Sequence, residues 1–165
     1  MRNILFVCTG NIFRSLTAEH ALRHALGERR DVRVASAGTA DYPYEVRQNV
    51  RDYLHAKGFD VSSHRRRTLT RAVLDDSHLV IAMSIDHRAH ILERYGVAVP
   101  LFLEACGEAA AALPDIEEVV LDYATNPAKV DAHVRATIDR ILALAPRLAA
   151  RLDALLNRDH ILRSA

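Results

Sequence analysis

The chain has 165 residues, of which 50% are hydrophobic and 26% are charged, and these values fit one globular domain over residues 1–165. Its 22 Lys and Arg nearly balance 21 Asp and Glu, so the charge does not indicate a broad nucleic-acid surface. No apolar run approaches the roughly 18 residues of a membrane span, and the N-terminus lacks a secretory-signal pattern. We therefore expect a cytoplasmic protein that binds neither nucleic acid nor membrane. Two cysteines are too few for a disulfide framework or a cysteine-rich zinc site.

Apolar segments with strand and helix patterns alternate along the chain. Short apolar runs predict four strands, at Ile4–Cys8, Val32–Ala35, His78–Met83 and Val97–Leu103. Amphipathic segments after the first three strands predict helices that end at glycines: Ser15 to Gly27, Val46 to Gly58, and Ile85 to Gly96. A long final helix follows the irregular segment 107–127, with Pro146 as a candidate kink.

This alternation predicts an α/β fold of three layers. Helical crossovers of this length join parallel strands, so we expect a flavodoxin-like fold with a four-stranded parallel sheet and helices on both faces. Ligands of such folds bind beyond the carboxyl ends of the strands. The loop after the first strand, Cys8 to Ser15, is therefore the predicted binding site.

The loop Cys8–Ser15 carries residue types suited to a tetrahedral oxyanion. Backbone N–H groups at a helix N-terminus form an anion site, and Gly10 and Asn11 tolerate the left-handed conformations that turn amides inward. Arg14 offers a bidentate fork to phosphate oxygens, while the helix terminus, Arg14 and the Ser15 hydroxyl favour the thiolate of Cys8 as a nucleophile. A Walker loop and a dinucleotide fingerprint both require residues that are absent here.

The segment Val7–Ser15 resembles the signature loop of the low molecular weight protein-tyrosine phosphatase family. Weaker resemblance continues over about the first 105 residues, at Ser36–Thr39, Ser63–Arg65 and Leu79–Met83 with His87. The resemblance implies Cys8 as nucleophile, Arg14 as phosphate clamp, Ser15 as thiolate stabiliser, and Asn11 and Ser36 as the polar pair that holds the loop. It also implies that the loop binds the substrate phosphate through Thr9, Gly10, Asn11, Ile12, Phe13 and Ser15.

The chain departs from the family pattern at two places in this region. Phe13 stands where the family often has a second cysteine, so disulfide protection of an oxidised Cys8 is not expected. Leu16 stands where a proline is frequent. The family's general acid is an aspartate before a proline and an aromatic residue, a pattern that no aspartate here matches fully. Asp122 precedes Tyr123 and is preferred, with Asp115, after Pro114, as the alternative.

Other polar and aromatic groups have weaker functional interpretations. The histidine pairs His20/His24 and His87/His90 lack the further ligands of a metal site, so neither metal nor cofactor is expected. The run from His64 to Arg67 is interpreted as a solvated loop that steers phosphorylated substrates. Tyr42, Tyr44 and Tyr123 are predicted to form an aromatic rim at the site, and Cys106 to be a buried strand-end residue.

The sequence therefore predicts a metal-free phosphomonoesterase that hydrolyses protein phosphotyrosine through a phosphocysteine intermediate. A protein-arginine phosphatase is the main alternative, because family members of that kind also have Thr directly after the catalytic Cys, as Thr9 stands here. An arsenate reductase would need more cysteines than Cys106 to relay a disulfide. An inactive phosphate-binding module is the alternative outside enzymes, and only the imperfect acid loop favours it.

Overall fold

The computed structural model describes residues 1–41 and 43–163. Within that part of the chain, three parallel strands form one sheet: β1 (Arg2–Cys8), β2 (Val32–Gly38) and β3 (Leu79–Ala82). The strand order is β2-β1-β3, so β1 lies in the centre and its carboxyl end opens between both neighbours. Cys8 pairs with Gly38 at this edge, which brings the loop after β1 against the end of β2.

Seven helices connect and cover the strands within the described residues. They are α1 (Arg14–Leu26), α2 (Gln48–Ala56), α3 (Arg71–Asp75), α4 (Ile85–Tyr95), α5 (Phe102–Ala105), α6 (Ile116–Val119) and α7 (Pro127–Arg163). The predicted positions of α1, α2, α4 and α7 are confirmed, whereas the single-turn helices α3, α5 and α6 were not predicted. Helix α4 ends at Gly96, whose φ of 71° is the left-handed conformation that glycine adopts without strain. Helix α7 continues through Pro146.

Alternate residues of β1 enter separate apolar clusters on the two faces of the sheet. Ile4 and Phe6 pack with residues of α1, α5 and α7, while Leu5 and Val7 pack with residues of α3 and α4. A third cluster joins α1 and α2 to α6 and α7. Helices therefore cover both faces of a parallel sheet, as predicted, and the burial of both faces explains the continuous apolar sequence of β1.

The prediction of a fourth strand at Val97–Leu103 is wrong. This segment contributes an isolated bridge between Ala82 and Leu101, supported by the Ala82 N–H donating to the carbonyl of Pro100 at 3.0 Å. Pro100 has no N–H to continue a ladder, and α5 begins directly after Leu101. Val99, Leu101, Phe102 and Leu103 of this segment are buried without regular strand pairing. In the described residues, no helix has the length and apolar composition needed to cross a membrane.

Candidate active site

The loop after β1 holds the predicted nucleophile and clamp side by side. Cys8 ends β1 and is 3% exposed, and Arg14 begins α1 and is 2% exposed. Asn11 takes φ of 56°, a conformation that asparagine tolerates better than most residues. The loop therefore turns back on itself within a few residues, as the sequence predicted for Asn11.

A chain of hydrogen bonds leads from Asn11 to the Cys8 sulfur. The Asn11 amide Nδ2 donates to Ser15 Oγ at 3.1 Å, and Ser15 Oγ lies 3.0 Å from Cys8 Sγ. Since Ser15 Oγ accepts a hydrogen bond from Asn11, the Ser15 hydroxyl can donate its own proton in a hydrogen bond to Cys8. A hydroxyl donor at this distance stabilises a thiolate over a thiol.

Asn11 also ties the loop to the rest of the site. Its Nδ2 donates to Ser36 Oγ at 2.7 Å, and its Oδ1 accepts from the Arg67 backbone N–H at 2.9 Å. Ser36 in turn donates to the buried carboxylate of Glu19, and His64 Nε2 donates to the Asn11 carbonyl at 2.8 Å. Every polar group of the Asn11 side chain thus has a partner, which fixes the loop before any ligand binds.

Gly38 allows the loop to approach β2 closely. A Cβ at Gly38 would lie 2.5 Å from the carbonyl oxygen of Thr9, closer than atoms can pack. The Thr39 N–H donates to the Cys8 carbonyl at 2.8 Å, and the Ala40 N–H donates to the Thr9 carbonyl at 3.1 Å. Glycine at the end of β2 is therefore required for these backbone contacts.

The guanidinium of Arg14 is buried and only partly paired. Its Nη1 donates to the Leu113 carbonyl at 2.9 Å, and its Nη2 lies 2.5 Å from Asp115 Oδ2. Arg14 Nε has no hydrogen-bond partner among the described residues. A buried donor without a partner costs about 1–3 kcal/mol, and an oxyanion in the loop would supply the missing acceptor.

A cavity of about 190 Å³ opens over the loop. It is lined by Cys8, Thr9, Gly10, Ile12, Phe13, Arg14, Arg47, Asp115, Ile116, Glu117 and Glu118. The Cys8 thiol, the Arg14 guanidinium and the Asp115 carboxylate therefore share a cavity at the carboxyl end of the central strand. This is the constellation expected for covalent transfer of a phosphoryl group.

Comparison with known proteins decides the family. The profile of the family described as low molecular weight phosphotyrosine protein phosphatase matches residues 3–156. The chain belongs to this family of cysteine-dependent hydrolases. The family that the Cys8–Ser15 loop indicated is thereby confirmed, and the match extends over nearly the whole chain.

Individual relatives carry the names of different phosphatase activities. A probable low molecular weight protein-tyrosine-phosphatase EpsP from Ralstonia solanacearum is 32% identical over 96 residues, which cover 58% of this chain and 64% of that protein. The structure of a YwlE mutant from Bacillus subtilis superposes with a TM-score of 0.77 at 25% identity, covering 93% of this chain and 99% of that one. The YwlE arginine phosphatase from Geobacillus stearothermophilus gives 0.76 at 26% identity, with 93% and 94% covered.

The two candidate acids of this phosphatase-family chain lie in different surroundings. Asp115 lines the cavity and contacts Arg14, whereas Asp122 is not among the cavity residues. Asp122 Oδ2 accepts from Lys129 Nζ and from Asn126 Nδ2, both at 3.0 Å, and these bonds lower its pKa below the ordinary value. The structure thus places the alternative, Asp115, at the loop in place of the preferred Asp122. The reason is that Asp122 lies in an exposed turn before α7.

Two of the three tyrosines predicted to form an aromatic rim lie near the phosphate loop. Tyr44 and Tyr123 line a second cavity that adjoins the first, since Ile12, Arg47 and Glu117 border both. Tyr123 is 40% exposed and Tyr44 62% exposed. Tyr42, the third predicted member, lies outside the described residues. Two tyrosines are thus available beside the phosphate loop.

The remaining candidates are the histidine pairs and Cys106, and their surroundings indicate structural roles. The described residues contain no group of three or more His, Cys, Asp or Glu placed to hold a metal ion. The His24 ring packs edge-on against Phe59, and burial lowers the pKa of His20. Cys106 is fully buried, which raises the pKa of its thiol to about 12 and removes it from thiolate chemistry.

The sequence interpretation missed the supporting roles of Glu19, His64 and His87. Glu19 lies on α1 among apolar residues, and nothing local distinguishes it from a surface acid. His64 was assigned to a solvated run, and His87 to a histidine pair. His87 is 3% exposed, and its Nε2 lies 2.9 Å from Thr9 Oγ1. A histidine five residues after the end of β3 is the sequence signal for that contact.

Proposed function

We propose that this protein hydrolyses phosphotyrosine on proteins through a phosphocysteine intermediate on Cys8. The single observation that supports this most is the cavity in which the Cys8 sulfur and the buried, partly unpaired Arg14 guanidinium lie together. Arg14 recognises a phosphoryl group by its planar fork, and Cys8 is the nucleophile within reach of that group. Tyr44 and Tyr123 supply apolar surface for a phenyl ring beside the phosphate.

The first chemical step is the transfer of the phosphoryl group to sulfur. The Cys8 thiolate attacks phosphorus, a P–S bond forms, and the P–O bond to the tyrosine oxygen breaks. We assign Asp115 as the acid that gives its proton to the leaving oxygen. A phosphate dianion offers Arg14 new acceptors, so its binding frees the Asp115 carboxyl from Arg14 for this role.

The second step releases the enzyme. Water attacks the phosphorus of phosphocysteine and gives a proton to Asp115, while the P–S bond breaks and the electron pair returns to Cys8. The Ser15 hydroxyl, 3.0 Å from the sulfur, stabilises the thiolate that leaves. Inorganic phosphate then departs. A catalytic thiol must stay reduced, which agrees with the proposed cytoplasmic location.

Asp115 is held in position by two contacts. Its Oδ1 accepts from the Ile116 N–H at 2.8 Å, as the N-cap of α6, and its Oδ2 meets Arg14. Ile116 is buried in the cluster that joins α1, α2 and α7, so α6 is anchored beside the loop. Asp122 has neither contact, and its lowered pKa keeps the carboxylate ionised, without a proton to donate.

The direct test is hydrolysis of an aryl phosphate in EDTA by the wild-type protein and by Cys8→Ser. We expect metal-independent turnover in the wild type, none in Cys8→Ser, and acid-quenched wild type that carries phosphate on sulfur. Cys106→Ser is the matched control, because Cys106 is a buried free thiol that does not line the cavity. Equal rates for wild type and Cys8→Ser would refute the proposal.

A second candidate function is hydrolysis of phosphoarginine. Thr9, directly after the nucleophile, lines the cavity, and the YwlE arginine phosphatase is among the structures similar to this chain. The comparison that decides is kcat/KM for phosphotyrosine and phosphoarginine peptides, with wild type and Thr9→Ile. A wild-type preference for phosphoarginine that Thr9→Ile reverses would replace phosphotyrosine as the proposed substrate.

A further inference from the structure

The hydroxyl of Thr9 is connected to a buried histidine and serine behind the cavity. Thr9 Oγ1 lies 2.9 Å from His87 Nε2, and His87 Nδ1 lies 3.0 Å from Ser84 Oγ. His87 is 3% exposed and Ser84 is 4% exposed, whereas Thr9 lines the cavity over Cys8. The three side chains therefore form a line from the interior to the phosphate site.

The direction of these hydrogen bonds follows from counting protons. Burial lowers the pKa of His87 to about 3, so the ring is neutral and carries one N–H. Ser84 Oγ does not cap α4, and His87 is its only hydrogen-bond partner among the described residues. If Ser84 Oγ accepted a hydrogen bond from the His87 ring, its own buried hydroxyl group would have no acceptor, at a cost of about 1–3 kcal/mol.

The favoured arrangement leaves one proton for the cavity. Ser84 donates to His87 Nδ1, the ring N–H is therefore on Nε2, and Nε2 donates to Thr9 Oγ1. Thr9 has no other side-chain partner in the described part of the chain. Among the described residues no acceptor uses its hydroxyl proton, which is therefore free to meet an acceptor in the cavity that Thr9 lines.

We propose that Ser84 and His87 hold the Thr9 hydroxyl as a hydrogen-bond donor to an oxygen of the phosphoryl group in the Cys8 cavity. This inference rests on the proposed function for its role in turnover. Thr9 contacts the phosphate, while His87 and Ser84 are positioning residues that act through it. The reverse tautomer would turn a Thr9 lone pair to the cavity, and an acceptor there suits a guanidinium N–H rather than a phosphate oxygen.

The first experiment measures binding of inorganic phosphate to the full chain by titration calorimetry, which needs no turnover. Thr9→Val keeps the shape and loses the hydroxyl, and we expect its phosphate Kd to rise about tenfold, as for loss of a hydrogen bond to a charged group. Thr9→Ser should retain most of the affinity. Ser84→Ala should raise Kd about threefold in the wild-type background and leave it unchanged in the Thr9→Val background.

Ser77→Ala is the matched control for loss of a buried serine. Ser77 is 5% exposed and donates to the Val73 carbonyl at 2.8 Å, away from the loop. This variant should lose stability without a change in phosphate Kd. A Ser84→Ala effect that persists in Thr9→Val would overturn the assignment of Ser84 as acting through Thr9.

The second experiment reads the tautomer of wild-type His87 directly, by long-range proton–nitrogen NMR correlation. We expect the proton on Nε2 at neutral pH, and a proton on Nδ1 would overturn the proposal even if the Thr9 variants failed to fold. An unchanged phosphate Kd in folded Thr9→Val would overturn it as well. Absence of hydrolysis by the wild type would refute the proposed function alone, since phosphate binding and the tautomer are still measured.

Discussion

The phosphate loop and the segment that carries Asp115 meet at one cavity but are constructed differently. In the loop, the nucleophile, its hydrogen-bond donor and the clamp lie within eight consecutive residues, from Cys8 to Ser15. Asp115 reaches Arg14 from 101 residues further along the chain, on a segment with one helical turn. Site residues that are neighbours in sequence form a recognisable motif. A residue that tertiary packing brings to the site has no sequence pattern around it that identifies it.

The largest expected effect in this comparison comes from Arg14→Lys. Lysine keeps the charge but cannot supply the planar fork, so we expect kcat/KM for an aryl phosphate to fall by about 10²–10³. Steady-state kinetics together with phosphate titration measure the loss of rate and of affinity. Arg140→Lys is the control, since Arg140 pairs with Glu108 at the surface. A rate near wild type for Arg14→Lys would contradict the clamp.

Asp115→Asn tests the segment delivered by packing. We expect a fall in kcat of about 10² on an alkyl phosphate, whose leaving group needs a proton, and a smaller fall on nitrophenyl phosphate. Asp122→Asn makes the same change in the exposed turn and should stay within a few-fold of wild type. The opposite ranking of the two variants would return the acid role to Asp122.

Asn11→Ala tests how far the loop is preorganised by its own side chain. The change removes bonds to Ser15, Ser36 and the Arg67 backbone and places alanine at a φ of 56°. We expect about a tenfold loss in kcat and a loss of roughly 2–3 kcal/mol in the free energy of unfolding. Chemical denaturation and kinetics measure both. Asn157→Ala, at an exposed position of α7, should change neither appreciably.

The acid stability of the folded state depends on His87. Burial lowers its pKa to about 3 from the ordinary 6.5, so between these values the unfolded chain binds a proton that the folded chain does not. This contribution to stability is complete above pH 6.5 and is lost as the pH falls, by up to about 1.4 kcal/mol per pH unit.

His87→Gln isolates that contribution, because glutamine does not titrate. Denaturation curves between pH 6.5 and about pH 4 should show a shallower loss of stability in the variant than in wild type. His90→Gln is a suitable control, since His90 is less buried on the same helix. Parallel curves for wild type and His87→Gln would show that His87 does not titrate as described.

Two apolar segments show where the sequence pattern did not predict the structure. Val97–Leu103 is as apolar as the true strands, but Pro100 and the start of α5 prevent a regular ladder. The run Val119–Leu121 similarly looks like one buried unit before Asp122. Val120 is buried, while Val119 and Leu121 are 52% and 88% exposed, so apolarity there does not report burial.

The sequence by itself determined the α/β class and the helices that end at glycine, and it singled out Cys8, Arg14, Ser15 and Asn11 as candidate site residues. These follow from short-range rules, because strand burial, helix termination and an anion-binding turn are decided by residues within a few positions of one another. Tertiary structure alone decided which aspartate faces Arg14 and which histidine holds Thr9. Those contacts span 101 and 78 residues, and they depend on how α6 and α4 pack against the sheet.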